Sequence, residues 1–123
     1  MNTILWIGQG MLALIFLVSG VNKSIYSEKQ LISKGQTGVV GKSAATIKFI
    51  GISELLGVIG IIVPWLTGIF RGLTPITAGC FAILMILAAP IHYRLKEPRN
   101  VATNIFILAL SLFVGIGRLM ELV

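Results

Sequence analysis

The stretch IKFIGISELLGVIGIIV, residues 47–63, followed by Pro64 and Trp65, decides the fold class. It is almost entirely apolar, and with its flanks it approaches the roughly 20 residues that an α-helix needs to cross a bilayer. An ionisable group in hydrocarbon costs roughly 2.5 to 3.5 kcal/mol of free energy, so the presence of Glu54 near the middle of this stretch requires an explanation. Gly51 and Gly57 flank Glu54 at i−3 and i+3, and such small residues let a second helix approach closely. The stretch therefore predicts a membrane helix whose Glu54 faces other helices.

Three further apolar runs have a similar length and cover residues 4–21, 73–91 and 101–116. The first run has no basic residue before it and no clear cleavage site, so we interpret it as a retained helix and not as a signal peptide. The sequence thus predicts an all-α fold, a four-transmembrane-helix bundle that forms one integral membrane domain over residues 1–123. The expected helices cover about 3–22, 46–66, 73–92 and 100–119.

Composition supports a membrane protein. The 123 residues are 56% hydrophobic and only 11% charged, whereas a soluble domain is about 25% charged. The single cysteine, Cys80, cannot form an internal disulfide. A net charge of +6 would suit a nucleic-acid partner, but such binding needs a basic surface on a domain outside the membrane. We expect the lipid bilayer as a partner and no nucleic acid.

The excess positive charge predicts the orientation. Eight of the ten lysines and arginines lie in or beside the two loops 23–48 and 93–99, and the other two are Arg71 and Arg118. Basic loops stay on the cytoplasmic side. We therefore expect a multi-pass protein of the cytoplasmic membrane with both of these loops inside and both termini outside (N-out/C-out). The role of the long loop over residues 24–45 is left open.

Polar residues of all four helices map to the cytoplasmic half of the predicted bundle. Helix one ends there with Gly20 and Lys23, and helix two carries Glu54 at a similar depth. Helix three ends there with His92, and helix four begins there with Asn104. The candidate polar cluster is therefore Lys23, Glu54, His92 and Asn104, with Gly20, Gly51 and Gly57 as helix-packing residues.

Two interpretations of this cluster stay open. The polar groups could simply hold the four helices together, since polar residues act in this way inside membranes. Alternatively, Glu54 could accept a proton or bind the headgroup of a ligand. Burial would favour the neutral form of Glu54 and a nearby Lys23 its charged form, and the sequence does not decide between them. No residue receives a catalytic role from the sequence.

These residues, taken in order, resemble the DoxX-like family of small four-helix integral membrane proteins. The matching motifs are Phe16-x-x-Ser19-Gly20-x-x-Lys23, Gly51-x-x-Glu54-x-x-Gly57-x-x-Gly60 with Pro64, Pro75-x-x-Ala78-Gly79, Met85-x-x-Ala88 with His92, and Asn100 with Asn104. The resemblance covers almost the whole chain. It implies a group in which some members are membrane subunits of sulfur-compound:quinone oxidoreductases. Others associate with redox-defence enzymes or act in membrane-protein assembly.

An autonomous redox enzyme finds no support in the sequence, which leaves three hypotheses. Cys80 has no cysteine partner, His92 is the only histidine, and Glu54 with His92 gives at most two metal ligands, so we expect no metal site.

The first hypothesis is an accessory subunit of a quinone-linked redox system, with a bound quinone as cofactor and a redox partner subunit. Its quinone tail would lie between helices one and three, and His92 and Lys23 would relay protons. The second is an assembly or binding factor with a purely structural polar cluster, and the third is a small proton-coupled transporter. The lipid-exposed surface of four short helices also leaves room for a homodimer.

Overall fold

The computed structural model describes all residues 1–123 and contains helices and no strand. Its elements are α1 (Asn2–Ile25), α2 (Glu28–Ser33), a 3-10 turn (Thr37–Val39), α3 (Ala44–Thr67), α4 (Leu73–Arg94) and α5 (Pro98–Leu122). By length and composition α1, α3, α4 and α5 can each cross a membrane. The predicted all-α, four-helix membrane fold is confirmed. The helices extend one to three residues beyond the expected ends at all but one boundary.

The helix ends follow from local sequence. The Ser27 side chain accepts from the Gln30 backbone N–H, and the Gln30 side chain accepts from the Ser27 N–H, which is a capping box at the start of α2. Ser43 caps α3 by accepting from the Thr46 N–H. Gly68 ends α3 with a φ of +76°, a conformation that glycine adopts without a steric penalty. Pro98 lies at the start of α5, where its missing backbone N–H costs no hydrogen bond, because the first N–H groups of a helix have no partner within the helix.

The helices form two close pairs. α1 packs along α3, and α4 packs along α5, while the α3–α4 and α1–α5 contacts are sparser. Glycine permits the first close approach, because a Cβ on Gly20 would lie 2.9 Å from the Gly51 carbonyl oxygen. Gly57 makes room for Phe81 in the same way, since its Cβ would overlap that ring. The three predicted packing glycines therefore lie at helix contacts.

An apolar core joins the two pairs at mid-height. The rings of Phe16 from α1 and Phe81 from α4 stack with centroids 3.9 Å apart and an interplanar angle of 10°. The buried members of this core are Leu12, Phe16, Ile61, Ala78, Phe81, Ile107 and Val114. Close packing here matters because apolar side chains gain no hydrophobic stabilisation by leaving lipid, so van der Waals contact has to hold the helices together.

Pro64 lies inside α3 and leaves the Gly60 carbonyl without its usual N–H donor. The Thr74 side chain of α4 donates a hydrogen bond of 3.2 Å to this Gly60 oxygen. In a bilayer, backbone groups freed by proline need such a partner from a neighbouring helix. Pro64 thereby creates a polar contact between α3 and α4.

The bundle has two distinct ends. The terminal end holds both chain termini and the 68–72 turn, and the basic end holds the segment 26–43 and the 95–97 turn. The segment 26–43 is folded over the basic end, because Leu31, Val39 and Ile47 form a second small core under it. Which end faces the cytoplasm stays a prediction from the charge distribution.

Gly51→Ala should weaken the α1–α3 pair. The new Cβ would lie 2.8 Å from Lys23 Cβ and 2.9 Å from the Gly20 oxygen, and the latter is a backbone atom that can move only with its helix. We expect a loss of about 1 to 3 kcal/mol, measured by thermal unfolding in detergent. Gly79→Ala is the control, because its Cβ would meet nothing within 4 Å. A Gly51→Ala variant as stable as Gly79→Ala would contradict the close approach.

Candidate functional site

Glu54 is the centre of a polar group between α1 and α3. Its side chain is only 3% exposed. Lys23 Nζ donates to Glu54 Oε1 at 3.0 Å, and Ser19 Oγ lies 3.0 and 3.1 Å from the two carboxylate oxygens. The carboxylate therefore has a counter-charge and a hydroxyl donor where hydrocarbon would provide neither.

The helix geometry explains why these groups meet. Ser19 and Lys23 are four residues apart, so they lie on the same face of α1, one turn from each other. Gly20 lies between them and brings α1 against Gly51 of α3, one turn before Glu54. The Lys23 side chain is 18% exposed. Its ammonium thus lies close to the end of the helix while its partner is almost fully buried.

A cavity of about 390 Å³ adjoins this ion pair and lies among all four long helices. All four residues of the predicted polar cluster line it. Most of the remaining wall is apolar. The residues that line the cavity include Val18, Ser19, Lys23, Gln36, Gly38, Val39, Lys42, Glu54, Leu87, Ala88, His92 and Asn104.

The cavity reaches the lipid-facing surface between α1 and α4. Val18 of α1 and Leu87 of α4 both line it. They are 54% and 63% exposed, so the same side chains face the outside of the bundle. A chain-like apolar molecule could therefore extend from the cavity into the bilayer between these two helices.

His92 lines the cavity but does not bond Glu54. Its Nδ1 lies 2.8 Å from Glu97 Oε1 and 3.4 Å from Thr37 Oγ1. Thr37 Oγ1 also donates to Glu97 Oε1 at 2.7 Å. The structure therefore separates the predicted cluster into the Lys23–Glu54 pair and a His92 group at the basic end.

Asn104 lies on α5, is 8% exposed and lines the cavity. Its Nδ2 is buried and has no hydrogen-bond partner in the protein. Gln36 Oε1, from the segment over the basic end, is unpaired in the same way. Buried polar groups without partners are uncommon and call for an explanation. Two residues that line the cavity, Asn104 and Gln36, thus each carry one buried amide atom that the chain itself does not use.

A second polar group, which the sequence did not predict, lies at the terminal end. The charge count placed Arg118 outside the two basic loops, and in the structure it is fully buried inside the bundle. Its Nε donates to Gln9 Oε1 at 2.7 Å, and its Nη1 donates to Asn2 and Glu121, each at 2.8 Å. The guanidinium carbon also lies 4.5 Å from the Trp65 ring centroid. The guanidinium therefore joins α5 to α1 inside the bundle, although its Nη2 has no hydrogen-bond partner in the protein.

One signal in the sequence could have revealed this group. Asn104, Ser111 and Arg118 follow one another at intervals of seven residues, so they lie on one face of α5, and all three are buried. Gln9 is likewise a polar interruption of the first apolar run, residues 4–21. Its pairing with Arg118 was not predicted, because a charged residue near a helix end is usually taken as a solvated anchor.

No group of three or more His, Cys, Asp and Glu side chains lies together. Cys80 is exposed on the outer face of α4.

The architecture is that of a multi-pass membrane protein with a polar cavity inside a four-helix bundle. The model of the DoxX-like family matches residues 7–114, and the chain therefore belongs to the DoxX-like family. No significant match was found among characterised proteins or solved structures. The family assignment confirms the predicted resemblance.

The Lys23–Glu54 pair should show energetic coupling. Lys23→Met leaves a buried carboxylate without a counter-charge, for which we expect a loss of about 3 to 5 kcal/mol. Glu54→Gln leaves a lysine that can turn toward water, so its loss should be smaller. The double variant should lose less than the sum of the two single losses. Thermal unfolding of the four proteins in detergent measures this coupling, with Lys48→Met on exposed α3 surface as the control. Strictly additive losses would show that the pair does not stabilise the bundle.

Glu97 should make stability depend on pH. Hydrogen bonds from His92 and Thr37 hold the pKa of the Glu97 carboxyl below its ordinary value of 4.5. A carboxyl with a lowered folded-state pKa stabilises the fold above its unfolded-state pKa, and this contribution is lost as the pH falls through the folded-state value. Wild type should therefore lose stability relative to Glu97→Gln when the pH falls from about 5 to below 4. Melting curves of both proteins over this range test this prediction, and parallel pH profiles would contradict it.

Proposed function

We propose that this DoxX-like protein is an accessory subunit of a quinone-linked membrane redox system, and that the cavity beside Glu54 holds the quinone headgroup. The observation that carries the proposal is the cavity itself. It combines an apolar wall, a buried ion pair and an opening toward lipid between α1 and α4. Its volume of about 390 Å³ lies within the roughly 300 to 1,000 Å³ that is usual for small-molecule sites.

The polar groups suit a quinone in both redox states. A quinone carbonyl accepts hydrogen bonds, and Asn104 Nδ2 is an unused donor. A quinol hydroxyl donates hydrogen bonds, and the Glu54 carboxylate and Gln36 Oε1 are acceptors. The apolar tail of such a molecule would leave through the gap that Val18 and Leu87 border, which agrees with the expected position between the first and third membrane helices.

The reduction needs two electrons and two protons for each quinone. The chain has no redox-active group of its own that fits this role, so a redox partner subunit would supply the electrons. Protons would come from the basic end, proposed to face the cytoplasm, where His92 and Glu97 lie between the solvent and the cavity. A homodimer within such a complex is compatible with this arrangement.

A second candidate is an assembly or binding factor in which the Glu54 group is purely structural. The observation in its favour is that Ser19 and Lys23 already occupy both oxygens of the Glu54 carboxylate. A polar cluster that only joins helices needs its polar groups to be hydrogen-bonded to one another in this way. We prefer the quinone site because a purely structural cluster needs neither the adjoining cavity nor its opening toward lipid.

Native mass spectrometry with lipid extraction, on gently purified protein, tests the proposal. We expect wild type to carry a stoichiometric quinone. Asn104→Leu removes only the unused amide at nearly constant volume and should reduce quinone occupancy at least tenfold, whereas Glu54→Gln should reduce it while the protein stays folded. Ser53→Ala is the matched control, because Ser53 adjoins Glu54 in sequence but bonds only its own helix backbone on the exposed face. Lipid alone in wild type, or equal quinone in all four proteins, would favour the structural candidate.

A further inference from the structure

The hydrogen bonds between the two helix pairs are concentrated at the terminal end. There, Arg118 of α5 binds Gln9 and Asn2 of α1. Thr74 of α4 binds the Gly60 carbonyl of α3. At this end the α1–α3 pair and the α4–α5 pair are therefore fixed to each other by directional bonds.

The basic end is joined differently. The bonds of Ser19 and Lys23 to Glu54 stay within the α1–α3 pair, and no hydrogen bond connects a helix of one pair directly with a helix of the other. The cavity separates the pairs here. The polar link across this end comes from the segment between α2 and α3, where Thr37 reaches Glu97 and His92.

This segment covers the cavity. Gln36, Gly38, Val39 and Lys42 line the cavity from the basic end. One side of the segment is attached to the α1–α3 pair, because Val39 packs with Leu31 and Ile47 in the small second core. The other side meets α4, where Gly38 approaches the His92 ring so closely that its Cβ would lie 3.4 Å from Nε2. Lys42 Nζ donates to the Gly38 carbonyl at 2.8 Å and stabilises the bend of the segment.

We propose that residues 36–42 form a lid that closes the cavity to water at the basic end, and that Thr37 is its latch. Opening breaks the hydrogen bonds of Thr37 to Glu97 and His92, while the Leu31–Val39–Ile47 core keeps the lid on the α1–α3 pair. The open lid gives water and small hydrophilic solutes access to the cavity. The lateral gap between α1 and α4 serves apolar molecules, so the cavity has one route for each. The proposal rests on the cavity and not on the identity of its ligand.

The reactivity of a cysteine inside the cavity tests the lid. Ala88 lines the cavity on α4, so Ala88→Cys, combined with Cys80→Ser, places a single thiol there. The protein is placed in lipid nanodiscs without quinone, and a permanently charged methanethiosulfonate reagent is added from the water phase. The charge keeps the reagent out of the lipid route. Thr37→Val removes both latch bonds at constant shape and should raise the modification rate roughly tenfold, which is the factor expected for one to two lost hydrogen bonds.

Two further variants separate the latch from a general loosening. Thr37→Ser keeps the hydroxyl and should restore the wild-type rate. Thr103→Val removes a threonine hydroxyl that bonds only its own helix at the same end, and should leave the rate unchanged. Should Thr37→Val not fold, Glu97→Gln weakens the same acceptor and should also accelerate modification.

Equal rates in wild type and Thr37→Val, or equal acceleration by Thr103→Val, would overturn the lid. A wild-type cavity thiol that reacts as fast as a fully exposed one would overturn it as well. Because no quinone is present in this assay, the lid and the quinone site can fail independently. Acceleration without quinone binding would retain the lid and reject the redox proposal.

Discussion

The rest of the structure depends on the need of Glu54 for partners inside hydrocarbon. Water is absent there, so an ionised carboxylate persists only if the protein itself supplies donors and a counter-charge. Ser19 and Lys23 supply them from α1. They can reach Glu54 because Gly20 and Gly51 let the two backbones approach. One polar residue thus determines which helix packs against α3, which face it presents and which small residues lie at the contact.

The same constraint organises the terminal end, where buried Arg118 takes the place of Glu54. Its guanidinium donates to Gln9, Asn2 and Glu121 through Nε and Nη1 and lies against the Trp65 ring. Between the two polar groups lies the Phe16–Phe81 stack with its apolar neighbours. On α1, Gln9 and Ser19 are ten residues apart, or about 15 Å along the helix. An apolar layer of this kind separates two polar compartments, which agrees better with a binding site open at one end than with a path through the bundle.

Much of the fold could be predicted from sequence, because the length of a hydrophobic run and its helical periodicity are properties of the local sequence. The four runs correspond to the four helices, and the i−3 and i+3 glycines placed Glu54 at a helix contact. The positions of Lys23 and Asn104 on the cavity followed from topology alone, since alternating helices return to the same end. These inferences needed no knowledge of side-chain conformation.

What could not be predicted involves segments whose conformation is set by tertiary contact. His92 was expected beside Glu54, yet it bonds Thr37 and Glu97, which lie in connecting segments without a hydrophobic period. The roles of Thr37 and Gln36 could not be predicted for the same reason, because the positions of both residues depend on how Leu31 and Val39 pack under the lid. The partners of Arg118 were not predicted, because a charge count treats every basic residue near a helix end alike. Sequence patterns describe the scaffold well, whereas the polar contacts that would control access to the cavity arise only once the connecting segments are folded onto it.

The distribution of interactions along the bundle axis has a functional consequence. A small membrane protein that exchanges a ligand must keep its helices associated while one part of the interface opens. Here the directional bonds between pairs lie at the terminal end and the stacked rings lie at mid-height. The basic end depends on a threonine in a connecting segment. Because that bond belongs to the lid and not to a membrane helix, breaking it leaves the Lys23–Glu54 pair, the apolar core and the Arg118 group intact. Opening can therefore require little free energy without weakening the contacts on which the fold depends.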